Sequence, residues 1–186
     1  MNTIYDAELP SHLGGSEGET HIDEGTLNFI IGATGSTSMV DVGCGPGGMV
    51  EYALSKGMKA AGIDGDFTIA RRIPVHIHDF TTGHVDLNRQ YDLCWCVEFV
   101  EHIEEQYMDN FIKVFQQCRF VMMTHAFPGQ GGHHHVNEKP SEYWVQKMAD
   151  AGFIFELDMT KAIRHASTMK QFFIRQHGLF FRNGRI

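Results

Sequence analysis

Three observations predict an open α/β fold, a mostly parallel sheet with helices on both faces. Short apolar runs alternate with segments of helical periodicity, and strands spaced by helices in this way pair in parallel through right-handed crossovers. The run at residues 38–42 passes straight into a glycine-rich turn and then a helical segment. Two late apolar runs, 153–159 and 171–181, have no clear helix between them, so a non-parallel pair is expected at the end of the sheet.

Taken in order, residues 1–20 form a polar, irregular arm with Gly14, Gly15 and Gly18, either a lid over a ligand or a plain surface tail. In 22–31, Leu27, Ile30 and Ile31 recur at helical spacing, and Asp23 and Glu24 suit a first turn. After the strand at 38–42, a helix from 49 to 56 ends at Gly57, and a second strand spans 58–64. A short helix at 67–72 stops before Pro74. The third and fourth strands are 75–79 and 91–97. Residues 98–117 carry the longest helix signal, with Phe99, Val100, Ile103, Tyr107, Phe111, Ile112, Val114 and Phe115 on one broad face. A fifth strand at 119–124 leads to a Gly- and His-rich loop, 126–139. Ser141 is placed to cap a helix at 142–151, which Gly152 closes.

At 186 residues with 42% hydrophobic composition, the chain predicts one domain, 1–186, that buries its core without disulfides. A net charge of −8 argues against a broad nucleic-acid footprint, although a local basic groove stays open. The four cysteines form no Cys-x-x-Cys pair and read as buried free thiols, which places the chain in a reducing, cytoplasmic setting. Neither a secretion signal nor an 18-residue apolar span is present, so no membrane span is expected. Oligomeric state is left open.

The turn fits two cofactor templates. Gly43-x-Gly45-x-x-Gly48 matches a dinucleotide fingerprint, while Asp41-x-Gly43-x-Gly45-x-Gly47 matches a nucleoside-binding turn of methyltransferases. Asp64, at the end of the second strand, could accept two hydrogen bonds from a ribose diol in either case. Asp79 and Phe80, at the end of the third, supply a polar and a ring or backbone contact suited to adenine, which favours the second template; the alternative for Asp79 is a turn or cap residue.

With Asp41-Val-Gly-Cys-Gly-Pro-Gly47, Gly62-Ile-Asp64, His78-Asp-Phe80 and residues 91–102, the chain resembles the class I S-adenosylmethionine-dependent methyltransferases. The resemblance implies a Rossmann-like, seven-stranded sheet whose last strand is antiparallel. It implies S-adenosylmethionine as cofactor, with Asp41, Gly43, Gly45 and Gly47 at its methionine portion and Asp64 at the ribose. Asp79 and the Phe80 backbone would meet the adenine, and Cys96 and Val97 would line the transferable methyl.

Glu98, Glu101 and His102 stand at i, i+3 and i+4, one face of a helix beside that site. A histidine from the loop Gly131-Gly-His-His-His-Val-Asn137 could complete a mixed oxygen and nitrogen site for a divalent metal. His134 or His135 is the preferred ligand, ahead of His133 and His125. The patch resembles the Glu-x-x-Glu-His group of small-RNA 3′-terminal 2′-O-methyltransferases and of some ubiquinone-pathway O-methyltransferases, which use it with metal. A metal-free alternative makes these residues a helix start, the histidines a solvated loop, and His102 or His125 a general base. The leading expectation is O-methylation of a small-molecule or sugar-like acceptor. Metal-independent N- or carboxyl-methylation, a non-catalytic cofactor-binding module and, last, an NAD-dependent dehydrogenase are the alternatives.

Overall fold

The computed structural model describes residues 8–15 and 18–186, and the expected arm falls partly outside them. Seven strands form one sheet in the order β3-β2-β1-β4-β5-β7-β6. They are β1 (Ser38–Val42), β2 (Lys59–Asp64), β3 (Val75–Ile77), β4 (Tyr91–Cys96), β5 (Cys118–Met123), β6 (Phe153–Phe155) and β7 (Leu179–Asn183). The first five pair in parallel. The last strand in the chain, β7, runs antiparallel to both β5 and β6.

All five residues of β1 are buried, as a central parallel strand covered on both faces requires. Period-two alternation then divides the core. Val40, Val42, Cys94 and Cys96 face one apolar cluster with Phe111, Phe115 and Trp144, from α3 (Met108–Phe115) and α4 (Ser141–Asp150). Met39, Leu93 and Trp95 face a second with Leu27, Met49 and Ile163, from α1 (Glu24–Thr34), α2 (Gly48–Ser55) and α5 (Leu157–Ala166). Asp23 caps α1: its Oδ1 accepts from the Thr26 N–H at 2.9 Å and from the Thr168 N–H at 3.0 Å. Ser167 Oγ donates to its Oδ2, so the cap also ties the start of the fold to its last third.

Four sequence expectations are corrected. Residues 67–72 are not helical, because Asp66 Oδ1 accepts from the Thr68 N–H and hydroxyl at 2.8 and 2.6 Å, a local turn that competes with a helix. The single helix at 98–117 is instead two 3₁₀ turns, Val100–His102 and Glu105–Tyr107, followed by α3. The Glu101 carbonyl accepts from the Val136 and Asn137 N–H groups, both at 3.0 Å, and so is withdrawn from any helix ladder. The stretch between the last two runs holds α5 and a short α6 (Phe173–His177), leaving β6 and β7 shorter than expected. Ser141 is the first residue of α4 and not its cap; its Oγ lies 2.9 Å from His125 Nε2.

Candidate active site

Strand order reverses between β1 and β4, the place where an open α/β sheet leaves a crevice at its carboxyl edge. The turn after β1 enters this crevice with Gly43, Gly45 and Gly47 at φ of 76°, 50° and 93°, angles at which a side chain is strained. At Gly43 a Cβ would also stand 2.6 Å from the Phe99 ring, and at Gly47 2.5 Å from Ile73. The turn spends its amide hydrogens within the chain. Gly43 and Cys44 donate to Ile63 O, Gly47 to Cys44 O, Gly45 to Asp64 Oδ2 at 2.7 Å, and Gly48 to Thr20 Oγ1 at 3.1 Å.

Asp64 is held from the other side by Arg71, whose Nη2 lies 2.9 Å from Oδ1 and whose Nε donates to Gly45 O at 2.6 Å. Burial raises the Asp64 carboxyl above its usual range, countered by the Asp66 and Gly45 N–H groups and by Arg71. Neighbouring Asp41 is 4% exposed. Burial, with Asp64 adding to it, pushes its carboxyl up to about 8.

A cavity of about 310 Å³ opens here. Asp41, Gly43, Gly45, Asp64 and Val97 line it, with Trp95 and Phe99 as apolar walls. The arm contributes His12 to Gly15 and Glu19 to His21, the ligand-side alternative of the two the sequence left open. His12 Nε2 lies 2.9 Å from Asp79 Oδ2. Although burial pushes Asp79 up, the Thr81 N–H and hydroxyl and His12 hold it below its usual value.

Gly47, Asp79, Phe80 and Cys96 lie outside the cavity lining. Gly47 precedes α2 and packs under Ile73. Phe80 is 2% exposed, edge-on to Phe99, and its carbonyl accepts from Asn110 Nδ2 at 2.7 Å. Cys96 is fully buried. His125 is fully buried as well, engaged with Ser141, and lowered to about 4 by burial despite the nearby Ala126 carbonyl.

At the same edge, Glu101, His102 and His135 bring one ligand atom each within 4.8 Å of one another. The loop is drawn in by the Val136 and Asn137 bonds to the Glu101 carbonyl, and the His102 and His135 rings meet edge to face at 4.9 Å. Glu138, a residue the sequence reading did not single out, orders this loop. Its carboxylate accepts from the Gly129 and Gly131 N–H groups, each at 2.6 Å, and lies 3.2 Å from His135 Nδ1. A carboxylate three residues from a candidate ligand was the available signal.

Both Glu101 carboxylate oxygens and His102 Nδ1 are buried without a hydrogen-bond partner. Buried carboxylates are seldom left so unless a cation meets them, so the residues fit a divalent metal. Burial and the charge of Glu98 drive the Glu101 carboxyl well above its usual range. Burial, with His135 beside it, lowers His102 to about 4. Glu98 lines the cavity in a left-handed conformation, φ 51°, its Oε1 accepts from Thr124 Oγ1 at 3.2 Å, and its carboxyl neighbours that of Glu101. His133 lines the cavity, whereas His134 lies with its ring 6.2 Å from that of His12.

No family model matches the chain, and no curated protein matches it by sequence. Solved structures do match. The sugar N-methyltransferase KedS8 from Streptoalloteichus is similar with a TM-score of 0.66 at 12% identity, over 98% of this chain and 97% of that one. The methyltransferase domain of bacterial CtHen1-C is similar with a TM-score of 0.59 at 18% identity, over 86% and 96%. Magnesium protoporphyrin IX methyltransferase from Synechocystis, solved with bound SAM, is similar with a TM-score of 0.56 at 14% identity, over 84% and 74%. The chain therefore has the Rossmann-like class I methyltransferase fold.

Proposed function

We propose that this chain is an S-adenosylmethionine-dependent methyltransferase acting on an oxygen of a small hydroxylated acceptor. The observation that carries the choice of donor is the internal use of every N–H between Gly43 and Gly48, Pro46 having none. A dinucleotide needs such groups free to meet its pyrophosphate. A sulfonium cofactor has no phosphate, and buried Asp41 with half-buried Asp64 suits its positive charge. The neighbours' printed activities, on sugar nitrogen and on a porphyrin, support methyl transfer and leave the acceptor open.

Methyl transfer forms the oxygen–carbon bond in line as the sulfur–carbon bond breaks, its electron pair staying on sulfur as the neutral thioether, and the hydroxyl proton passes to solvent water. Alignment supplies much of the acceleration. Trp95, Val97 and Phe99 form the apolar wall that keeps water from the donor. Glu101, His102 and His135 would hold a divalent cation, with Glu98 nearby and Glu138 orienting His135. Such an ion, when bound, would supply a lowered hydroxyl pKa and a fixed oxygen position. His125 has a positioning place, joining the end of β5 to Ser141 of α4.

Among the described residues no helix is long and apolar enough to cross a membrane. The four free, buried cysteines fit a reducing compartment such as the cytoplasm. The test is formation of S-adenosylhomocysteine from a panel of hydroxylated small molecules, with and without EDTA. Turnover that EDTA stops and added Mg²⁺ or Mn²⁺ restores is expected. Turnover indifferent to chelation would remove the metal, and turnover only on amines would remove O-methylation.

A further inference from the structure

A second, open groove of about 740 Å³ is lined by Phe127, Gln130, Lys170, Phe172, Phe173 and His177, among others. Phe173 is a wall of both this groove and the donor cavity, so the two adjoin. Phe172 is 61% exposed, the most exposed large apolar side chain among the described residues. It is nevertheless held in place. The Arg175 guanidinium stands 4.8 Å from its ring centroid and is itself pinned by the carbonyls of Ser167, Lys170 and Gln171 at 3.4, 3.2 and 3.2 Å.

Another part of the groove's wall is aromatic too. Phe127, 39% exposed, meets the His177 ring edge to face at 4.5 Å. His177 is 9% exposed, and its Nδ1 is buried with no hydrogen-bond partner. A pinned, solvent-facing ring in a groove that shares a wall with the donor cavity is costly for a free surface and useful to a planar ligand. No carboxylate lines the groove, while Lys170 and amides do, which favours a neutral or anionic ring over a cationic one.

We infer that this groove seats the methyl acceptor, and that the acceptor is a planar aromatic or heteroaromatic hydroxyl compound; this rests on the methyltransferase reading above. Its ring lies on Phe172 and Phe127, and its hydroxyl reaches past Phe173 toward the donor cavity.

The test is fluorescence anisotropy of 7-hydroxycoumarin titrated with the full chain saturated with S-adenosylhomocysteine. Binding to the wild type is expected, weakened about fivefold in Phe172→Ala, the scale of one aromatic contact. Phe172→Tyr should retain it, as should Leu157→Ala, which removes an exposed apolar side chain elsewhere. Methyl glucoside should not displace the coumarin. Absence of coumarin binding, equal binding by Phe172→Ala, or displacement by the glucoside overturns the inference. Calorimetry with S-adenosylhomocysteine on the same samples separates the two readings, because a chain that does not bind it loses the methyltransferase reading and the acceptor role together.

Discussion

Glu101→Gln is expected to abolish divalent-metal binding and to lower methyl transfer by about a hundredfold or more, the scale of losing an activated oxygen at a reacting centre. The wild-type carboxylate is fully buried with both oxygens unpartnered, so in the metal-free protein it is a liability. The amide keeps its shape without a charge to desolvate. Metal-free Glu101→Gln should therefore melt no lower than the wild type, while the stabilisation that Mg²⁺ or Mn²⁺ gives the wild type should vanish. Elemental analysis and thermal melts with and without metal check both halves. Unchanged metal content in the variant would place the ion elsewhere.

The second large effect belongs to Asp41. With its carboxyl raised to about 8 by burial and by Asp64, it is mostly protonated at pH 7 in the cofactor-free protein. A permanently cationic sulfonium favours the ionised form, so binding should release close to one proton at pH 7. Affinity should rise about tenfold per pH unit from pH 6 and level off near pH 8. Asp41→Asn should weaken binding roughly tenfold to a hundredfold and flatten this dependence.

The stability sign follows from the same shift. The folded state binds this proton more tightly than the unfolded chain, whose model value is 3.8. Its contribution is full below that value and is lost as pH rises toward about 8, so the cofactor-free wild type should be less stable at pH 8 than at pH 5. In Asp41→Asn that loss should disappear. Calorimetry in two buffers of different ionisation enthalpy measures the proton, and urea melts across pH measure the stability.

The donor half of the site was legible because its signals are local. An apolar strand running into Gly43, Gly45 and Gly47 states both the buried strand and the positive φ angles of the turn. Asp64 and Val97 follow from strand ends in a parallel sheet, and both reach the cavity. Arg71 and the particular arm residues were not legible. Arg71 sits in a segment whose helical pattern was overridden by the Asp66 turn, and Thr20 acts through a single hydroxyl on Gly48.

The metal patch was readable as composition but not as geometry. The i, i+3, i+4 spacing assumed a helix, whereas Val100–His102 is a 3₁₀ turn and Glu98 has a left-handed backbone. Which of three consecutive histidines turns inward depends on the Glu101 carbonyl, a contact between distant segments, and on Glu138 three residues from His135. Similarly, α5 was missed because its buried residues, Thr160 and Ile163, leave too narrow a stripe between two strand-like runs.

The central claim is that the cavity at Asp41 receives a phosphate-free, cationic methyl donor. Its most direct measurement is calorimetric titration of the wild-type chain with S-adenosylmethionine and, separately, with NAD at pH 7. Binding of S-adenosylmethionine with release of a proton, and no heat from NAD, is the predicted result. Binding of NAD with none of S-adenosylmethionine would contradict it.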